Sequence, residues 1–235
     1  MKNSTYEKVA GILGGMGPEA TVDLLNRIIQ LTPATDDNDH VRCIIDNNPK
    51  VPSRIKALIE HVGENPGPCM AEMAQKLEEW GADFLCIPCN TAHYYYDYAN
   101  NAVSIPVVNL IDLTVKHVLK TNPEIKRVGV LCSTAVISTK LYENGFGEMN
   151  VEVIYPEESF QTSLLEVIKS IKAGDTGAEV QSSFANIVTN VIEQGSELIV
   201  IACTELGIIS NNVSFPLADA TKILAEEIIA RAKQV

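Results

Sequence analysis

The sequence predicts an α/β protein made of two parallel-sheet, Rossmann-like subdomains related by a pseudo-twofold axis, with the active site in the cleft between them. Three observations carry this expectation. Two apolar runs, Phe84 to Ile87 and Leu198 to Ala202, each lead into a cysteine, Cys89 and Cys203, that lies eight residues after a glycine, Gly81 and Gly195. A continuous apolar run is how a strand buried in a parallel sheet reads, and open α/β sheets place ligands just past the carboxyl ends of such strands. Landmarks also recur at a held offset, as a duplicated fold requires. Gly11 to Gly129 and Thr21 to Thr139 are each 118 apart, while Gly81 to Gly195 and Cys89 to Cys203 are each 114 apart.

Taken in order, Val9 to Leu13 reads as a buried strand. Gly14-Gly15-Met16-Gly17-Pro18 then turns into an amphipathic helix from about Pro18 to Leu31, since proline suits the first helical turn, where its missing N–H is not needed. Thr32 to Asp39 is a polar loop, and Val41 to Ile45 is a second strand ending at an extended, twice-prolyl connection up to Arg54. Helical patterns at Ile55 to His61 and at Cys69 to Trp80 precede the strand that leads to Cys89. Ile105 to Val108 is a short strand, and Asp112 to Leu119 is helical.

The pattern restarts at Arg127 to Leu131, a strand ending at Cys132-Ser133-Thr134, with a helix to about Tyr142 and a strand over Val151 to Tyr155. Helices near Leu164 to Ala173 and Ala178 to Glu193 lead to the strand that delivers Cys203. Phe215-Pro216-Leu217 echoes Ile105-Pro106-Val107, and a closing helix spans about Asp219 to Lys233. The expected division is residues 1–113, joined by the C-terminal helix 218–235, against residues 114–217.

The 235 residues, 46% hydrophobic and 20% charged, suffice for two small cores. A net charge of −12 without a basic block argues against binding nucleic acid or an anionic membrane through bulk electrostatics. An anionic substrate must then meet local cations. No apolar run is long enough to span a bilayer, and the start, Met1-Lys2-Asn3-Ser4-Thr5, has no hydrophobic segment of the secretory type. The six cysteines are read as reduced thiols, four of them in or beside strand-like runs, and the expected location is the cytoplasm.

The candidate site gathers at the strand ends. A carbon acid deprotonated on one face and reprotonated on the other is inverted, which takes a thiolate base, a thiol acid and donors for the charge that develops on oxygen. Cys89 and Cys203 are placed for those two roles. A thiol of ordinary pKa about 8.5 is lowered at a helix N-terminus, so both protonation states are expected near neutrality. Asn90-Thr91 and Thr204-Glu205 open the following helices and offer N–H groups and hydroxyls to a carboxylate. Arg54 lies on the rim of the second strand, and Arg54 plus 118 falls on Lys172, which suggests a cationic pair in equivalent places. For each of these the bland reading stands beside the sharp one: an arginine opening a solvated helix is common, and glycines after a strand are often turn residues and no more.

Other readings of the same residues are weaker. The first glycine loop does not match G-x-G-x-x-G, so a dinucleotide is disfavoured. Cys86 and Cys89 form a C-x-x-C, but Cys86 lies inside the apolar run and not at a helix start, against dithiol redox chemistry. Alternation along the strand likewise turns Cys86, Cys89 and His93 out of register for one zinc ion. His93 reads as a helix-start hydrogen-bonder, and the aromatic run Tyr94 to Tyr98 as packing. A non-catalytic small-molecule binding protein does not need two thiols.

Through Gly14-Gly15-Met16-Gly17-Pro18, Pro88-Cys89-Asn90-Thr91-Ala92-His93 and Cys203-Thr204-Glu205-Leu206, the chain resembles the aspartate/glutamate racemase family, the cofactor-independent amino-acid racemases, over nearly its whole length. The resemblance implies a two-thiol reaction on a small dicarboxylic amino acid without pyridoxal phosphate or metal, and a homodimer. It implies that Asn90, Thr91 and Thr204 bind the α-carboxylate, that Met16 lines the pocket, and that Arg54 and Lys172 contact the side-chain carboxylate. Glutamate racemases carry Asp-Ser where this chain has Gly14-Gly15-Met16, and Cys-Thr-His where it has Glu205, so the resemblance is closest to aspartate racemases. A maleate cis-trans isomerase or hydantoin racemase with the same two cysteines is the alternative within the superfamily.

Overall fold

The computed structural model describes residues 7–210 and 213–233. The stretch Met1 to Thr5, considered above for a leader, lies outside the described residues. The chain forms two compact units: Met1–Ala57, Val62–Leu110 and Leu224–Val235 make the first, and Leu58–His61 with Ile111–Ile223 the second.

The first unit is built on β1 (Ala10–Gly14), α1 (Pro18–Leu31), β2 (Cys43–Asn47), α2 (Gly67–Glu79), β3 (Phe84–Cys86), α3 (Tyr96–Asn100) and β4 (Val107–Val108). The strands form a parallel sheet in the order β2-β1-β3-β4. Helix α1 turns Ala20, Thr21, Leu24 and Ile28 inward, a four-residue spacing that makes one apolar stripe. With Ile12, Leu77 and Leu85 these make the core, where a fully buried large aliphatic contributes about 1.5–3 kcal/mol.

The second unit carries α4 (Leu110–Thr121) from Ile111 onward, β5 (Arg127–Leu131), α5 (Thr134–Ser138), α6 (Leu141–Gly147), β6 (Glu152–Ile154), α7 (Glu158–Lys172), α8 (Ala178–Glu193), β7 (Leu198–Ile201) and β8 (Leu217–Asp219). Its parallel sheet runs β6-β5-β7-β8, the same order as the first. Alternation along β7 puts Leu198 and Val200 against Tyr142 and Phe146, and Ile199 and Ile201 against α7 and α8. The last helix, α9 (Ala220–Lys233), joins the first unit from Leu224 onward. There Ala232 O accepts from Lys8 N at 3.0 Å, and Lys233 Nζ reaches Glu7 at 2.7 Å and Asp39 O at 2.6 Å.

The two cysteine strands are entered by one device. Helix α2 ends at Gly81 (φ +97) with Gly81 N donating to Glu78 O and Ala82 N to Leu77 O. Helix α8 ends at Gly195 (φ +93) with Gly195 N donating to Ile192 O and Ser196 N to Val191 O. This 6→1 and 5→2 pairing is the Schellman motif, which favours glycine because its left-handed residue carries no Cβ penalty.

Register shows where the duplication holds and where it shifts. Gly11 faces Leu85 and Ile44, while Gly129 faces Ile199 and Ile154, so the offsets are 129 − 11 = 118, 199 − 85 = 114 and 154 − 44 = 110. The 118 that links β1 to β5 therefore does not carry across β2. Arg54 lies seven residues past the end of β2, just before the π-helical turn Lys56–Glu60, whereas Lys172 is the last residue of the fifteen-residue α7. The two cations do not occupy equivalent places, which corrects the inference drawn from the offset.

Local departures have identifiable causes. Helix α7 starts six residues earlier than the pattern suggests, because its inward face includes the polar Gln161, whose Nε2 donates to Cys132 O at 2.9 Å. The single helix expected up to Tyr142 is two, α5 and α6, divided at Lys140 in the left-handed region. The expected helices at Asn90-Thr91 and Thr204-Glu205 are short 3-10 turns, Thr91–Tyr95 and Thr204–Ile208.

Candidate active site

In the first unit the candidate residues lie along the carboxyl rim of the sheet. Past β1, Gly15 adopts φ +87, and a Cβ there would lie 2.2 Å from the backbone of Asn48 past β2. Only glycine lets these two strand ends close on each other. Gly15 N donates to Thr21 Oγ1 at 2.9 Å, which anchors the loop to α1 and holds the buried Met16 beyond it. Arg54, on the same rim, directs Nη1 to the carbonyls of Val51 at 3.3 Å and Pro52 at 3.0 Å. Its Nε is buried with no hydrogen-bond partner.

Strand β3 stops at Cys86, and Ile87-Pro88 carries the chain to Cys89, whose N–H bonds Ile87 O at 2.8 Å. Cys89 is 9% exposed, Asn90 is buried and Thr91 half-buried. His93 fixes this turn from behind. Its Nε2 accepts from Leu110 N at 2.9 Å, so Nδ1 carries the proton and donates to Cys89 O at 2.8 Å. Both ring nitrogens are thereby engaged, and the ring stacks on Tyr96 with centroids 6.1 Å apart. The imidazole is a strut for the cysteine turn. The sequence placed a hydrogen-bonder here without showing that it joins Cys89 to the start of α4.

In the second unit the residue past Cys203 and Thr204 proves central. Cys203 Sγ donates to Glu205 Oε2 at 3.0 Å, Thr204 Oγ1 reaches the same oxygen at 3.3 Å, and Lys172 Nζ lies 3.3 Å from Oε1. The Glu205 side chain is 9% exposed and that of Lys172 is 53% exposed. A carboxylate this buried requires a cation and donors. Burial pushes the Glu205 carboxyl up, but Lys172 and the Cys203 thiol outweigh it and hold the group below the usual carboxylate range. Burial, then the Glu205 charge and its hydrogen bond, raise the Cys203 thiol well above its ordinary value, with Lys172 opposing. The lowering expected from a helix N-terminus is therefore reversed at Cys203, because a 3-10 turn of five residues supplies little dipole while a carboxylate sits on the sulfur.

The structure thus gathers Met16, Arg54, Cys89, Asn90 and Thr91 in one unit and Lys172, Cys203 and Thr204 in the other. The sequence placed Glu205 after the cysteine without showing that it receives the Cys203 thiol and pairs with Lys172. An acid directly after a buried strand end, in a motif with a lysine elsewhere to neutralise it, was the available signal. Among the described residues no three His, Cys, Asp or Glu side chains converge as metal ligands would, and no helix is long and apolar enough to cross a membrane. All six cysteines are free. A groove of about 380 Å³ between α7 and α8, lined by Glu166, Asp175, Glu179 and nearby serines, contains none of the candidate residues.

A family model described as Asp/Glu/Hydantoin racemase matches residues 13–228. The broad specificity amino-acid racemase RacX of Bacillus subtilis (strain 168) is 28% identical over 226 residues, covering 94% of this chain and 96% of that protein. Among solved structures, Picrophilus torridus aspartate racemase has a TM-score of 0.82 at 29% identity, over 96% of this chain and 94% of that one. Francisella tularensis glutamate racemase, solved with D-glutamate, shares the fold at a TM-score of 0.67 and 17% identity, over 97% and 82% of the two chains.

Proposed function

The chain belongs to the Asp/Glu/hydantoin racemase family and is an amino-acid racemase, and we propose that it interconverts L- and D-aspartate, with glutamate a poorer substrate, through Cys89 and Cys203 and without pyridoxal phosphate or metal. The observation that carries this reading is the pair of cysteine strands. Each is entered through a Schellman glycine eight residues upstream, and each stops its cysteine on a sheet rim.

In the proposed reaction both thiols act on one α-carbon. One thiolate takes the α-proton, so a C–H bond breaks and an S–H bond forms. The opposite thiol gives its proton to the other face, so that S–H breaks and the inverted C–H forms. No electrons are gained or lost. Asn90, Thr91 and Thr204 hold the α-carboxylate and meet the charge that grows on its oxygens in the transition state. Arg54 and Lys172 hold the side-chain carboxylate, and Met16 packs against the substrate. The buried, unpartnered Nε of Arg54 supports the first part of that clamp. The reading extends to a cytoplasmic homodimer, which its six free thiols and the exposed Val22 and Ile29 of α1 support.

One observation favours a broader substrate range. Lys172 is already paired with Glu205, so a substrate carboxylate would share this lysine with a resident one. The test is circular dichroism of L- and D-aspartate, glutamate and neutral amino acids incubated with purified protein and no added cofactor. Loss of optical activity with aspartate first supports the narrow reading. Equal or faster loss with neutral amino acids replaces it with the broad one, and dependence on added metal or pyridoxal phosphate overturns both.

A further inference from the structure

The two-thiol reading treats Cys89 and Cys203 as interchangeable partners, yet their surroundings differ in one respect that bears on the order of events. We propose that Glu205 is a positioning residue that keeps Cys203 in its thiol form between turnovers, so that in the resting protein Cys203 is set to donate a proton and must first lose it to act as the base on the opposite enantiomer. This rests on the racemase reading above.

The geometry is specific. Sγ of Cys203 stands 3.0 Å from Glu205 Oε2, an oxygen that also receives Thr204 Oγ1, while Oε1 faces Lys172 Nζ at 3.3 Å. A carboxylate can only accept here, so the sulfur must keep its hydrogen for the contact to exist. The charged groups that face the thiol are Glu205 on its own segment and Lys172 from α7, which packs on that segment. Lysine opposes the carboxylate, but it stands on the far oxygen and is half in solvent. The balance favours the thiol, in line with the upward shift of Cys203.

The consequence for turnover follows from charge. When Cys203 gives its proton to the α-carbon it becomes a thiolate beside a carboxylate, a like-charge pair in a largely dry setting. Proton uptake by Cys203 from solvent relieves it, and with loss to solvent of the proton that Cys89 took from the substrate the starting state returns. Because the equilibrium constant of a racemisation is one, kcat/KM must be equal for both enantiomers at every pH, so Glu205 cannot favour one enantiomer. It acts instead on the pH range. The Glu205 carboxylate raises the pH at which Cys203 loses its proton.

Two measurements on the full chain test this. In the first, iodoacetamide labelling of the partly exposed Cys203 is followed against pH by peptide mass spectrometry, without substrate. Glu205→Gln should move the labelling midpoint down by at least one pH unit, a roughly tenfold gain in labelling below the midpoint, and Lys172→Met should move it up. Opposite directions separate the effect from unfolding, which would speed labelling in both variants. In the second, the alkaline limb of kcat/KM for Glu205→Gln should shift down equally for L and D substrate. An unchanged labelling midpoint in Glu205→Gln, or a shift of the same sign in both variants, overturns the proposal. Absence of any inversion by the wild type would instead overturn the racemase reading, with the labelling result still interpretable.

Discussion

Four residues past Cys89 stands His93, a ring that donates to the cysteine's backbone carbonyl; two residues past Cys203 stands Glu205, a charged group that touches the sulfur itself. The two units therefore solve the same placement problem with different chemistry. In the first, a ring braces the turn through the backbone carbonyl of Cys89. In the second, no ring braces the turn at the matching place, Gly207, and the carboxylate with its lysine both fixes the turn and sets the proton on sulfur. The two units share the strand and its glycine entry and differ in the side chains behind each cysteine.

The most severe test of the comparison removes each sulfur in turn. Cys89→Ser and Cys203→Ser should each lower racemisation by about 10²–10⁴-fold, the range for a positioned acid or base, because a hydroxyl ionises far above a thiol. Each variant should still wash solvent deuterium into one enantiomer with retained configuration, the two preferring opposite enantiomers, as mass spectrometry and chiral chromatography would show. Undiminished racemisation in either variant would make that cysteine structural.

Next in size is the cationic pair, which the structure separates by environment. Arg54→Met and Lys172→Met should each lower kcat/KM for aspartate by about 10- to 100-fold, since a hydrogen bond to a charged group is worth about 1.5–3 kcal/mol. They should differ in stability. Losing Lys172 leaves Glu205 buried without its cation, so Lys172→Met should unfold at lower urea than the wild type, and Glu205→Gln added to it should restore part of the loss. No such rescue is expected for Arg54→Met, since Nη1 of Arg54 donates to the carbonyls of Val51 and Pro52.

The strut comes third. His93→Ala removes an acceptor from Leu110 N and a donor to Cys89 O, both buried, for an expected cost of about 1–3 kcal/mol in urea denaturation. If the ring only positions the turn, kcat should fall while the pH dependence of kcat/KM keeps its shape. A lost limb of the profile would make His93 a titrating participant instead.

How much of this was legible in the sequence depended on the kind of signal. Buried parallel strands and the glycines before them have a strong local pattern, and α1, β5 and α8 fall where periodicity puts them. Gln161 masked the start of α7, because a polar side chain that finds a backbone carbonyl across the core is indistinguishable in sequence from one that faces water. The Arg54–Lys172 equivalence failed because a numerical offset survives only until connections differ in length, and α7 with α8 replaces a π-helical turn and one helix. Glu205 was hidden for a related reason. Its partner Lys172 is 33 residues away (205 − 172) on another element, so only the folded chain shows a buried acid with its cation and thiol.

The smallest effect separates the sulfurs by stability alone and needs no substrate. A thiol whose pKa is raised on folding contributes stability that is complete below the unfolded value, about 8.5, and is lost as pH climbs toward the folded value. Cys203 is such a group, held protonated by burial and by the Glu205 carboxylate. Above about pH 8.5 its unfolded form sheds a proton that the folded form keeps, so each further pH unit removes about 1.4 kcal/mol from the stability of the wild type. Cys43, raised to about 11, and the buried Cys86 and Cys132 act with the same sign. They act equally in a variant that keeps them, so the difference between wild type and Cys203→Ser isolates one thiol. Urea denaturation under reducing conditions at pH 7.5 and 9.5, values chosen to straddle about 8.5, should show the wild type losing about 1 kcal/mol more than Cys203→Ser between them. In a Glu205→Gln background the difference should shrink, since the carboxylate no longer holds the proton on sulfur. An equal alkaline loss in wild type and Cys203→Ser would mean that Cys203 titrates alike folded and unfolded, and the carboxylate contact would then not govern its proton.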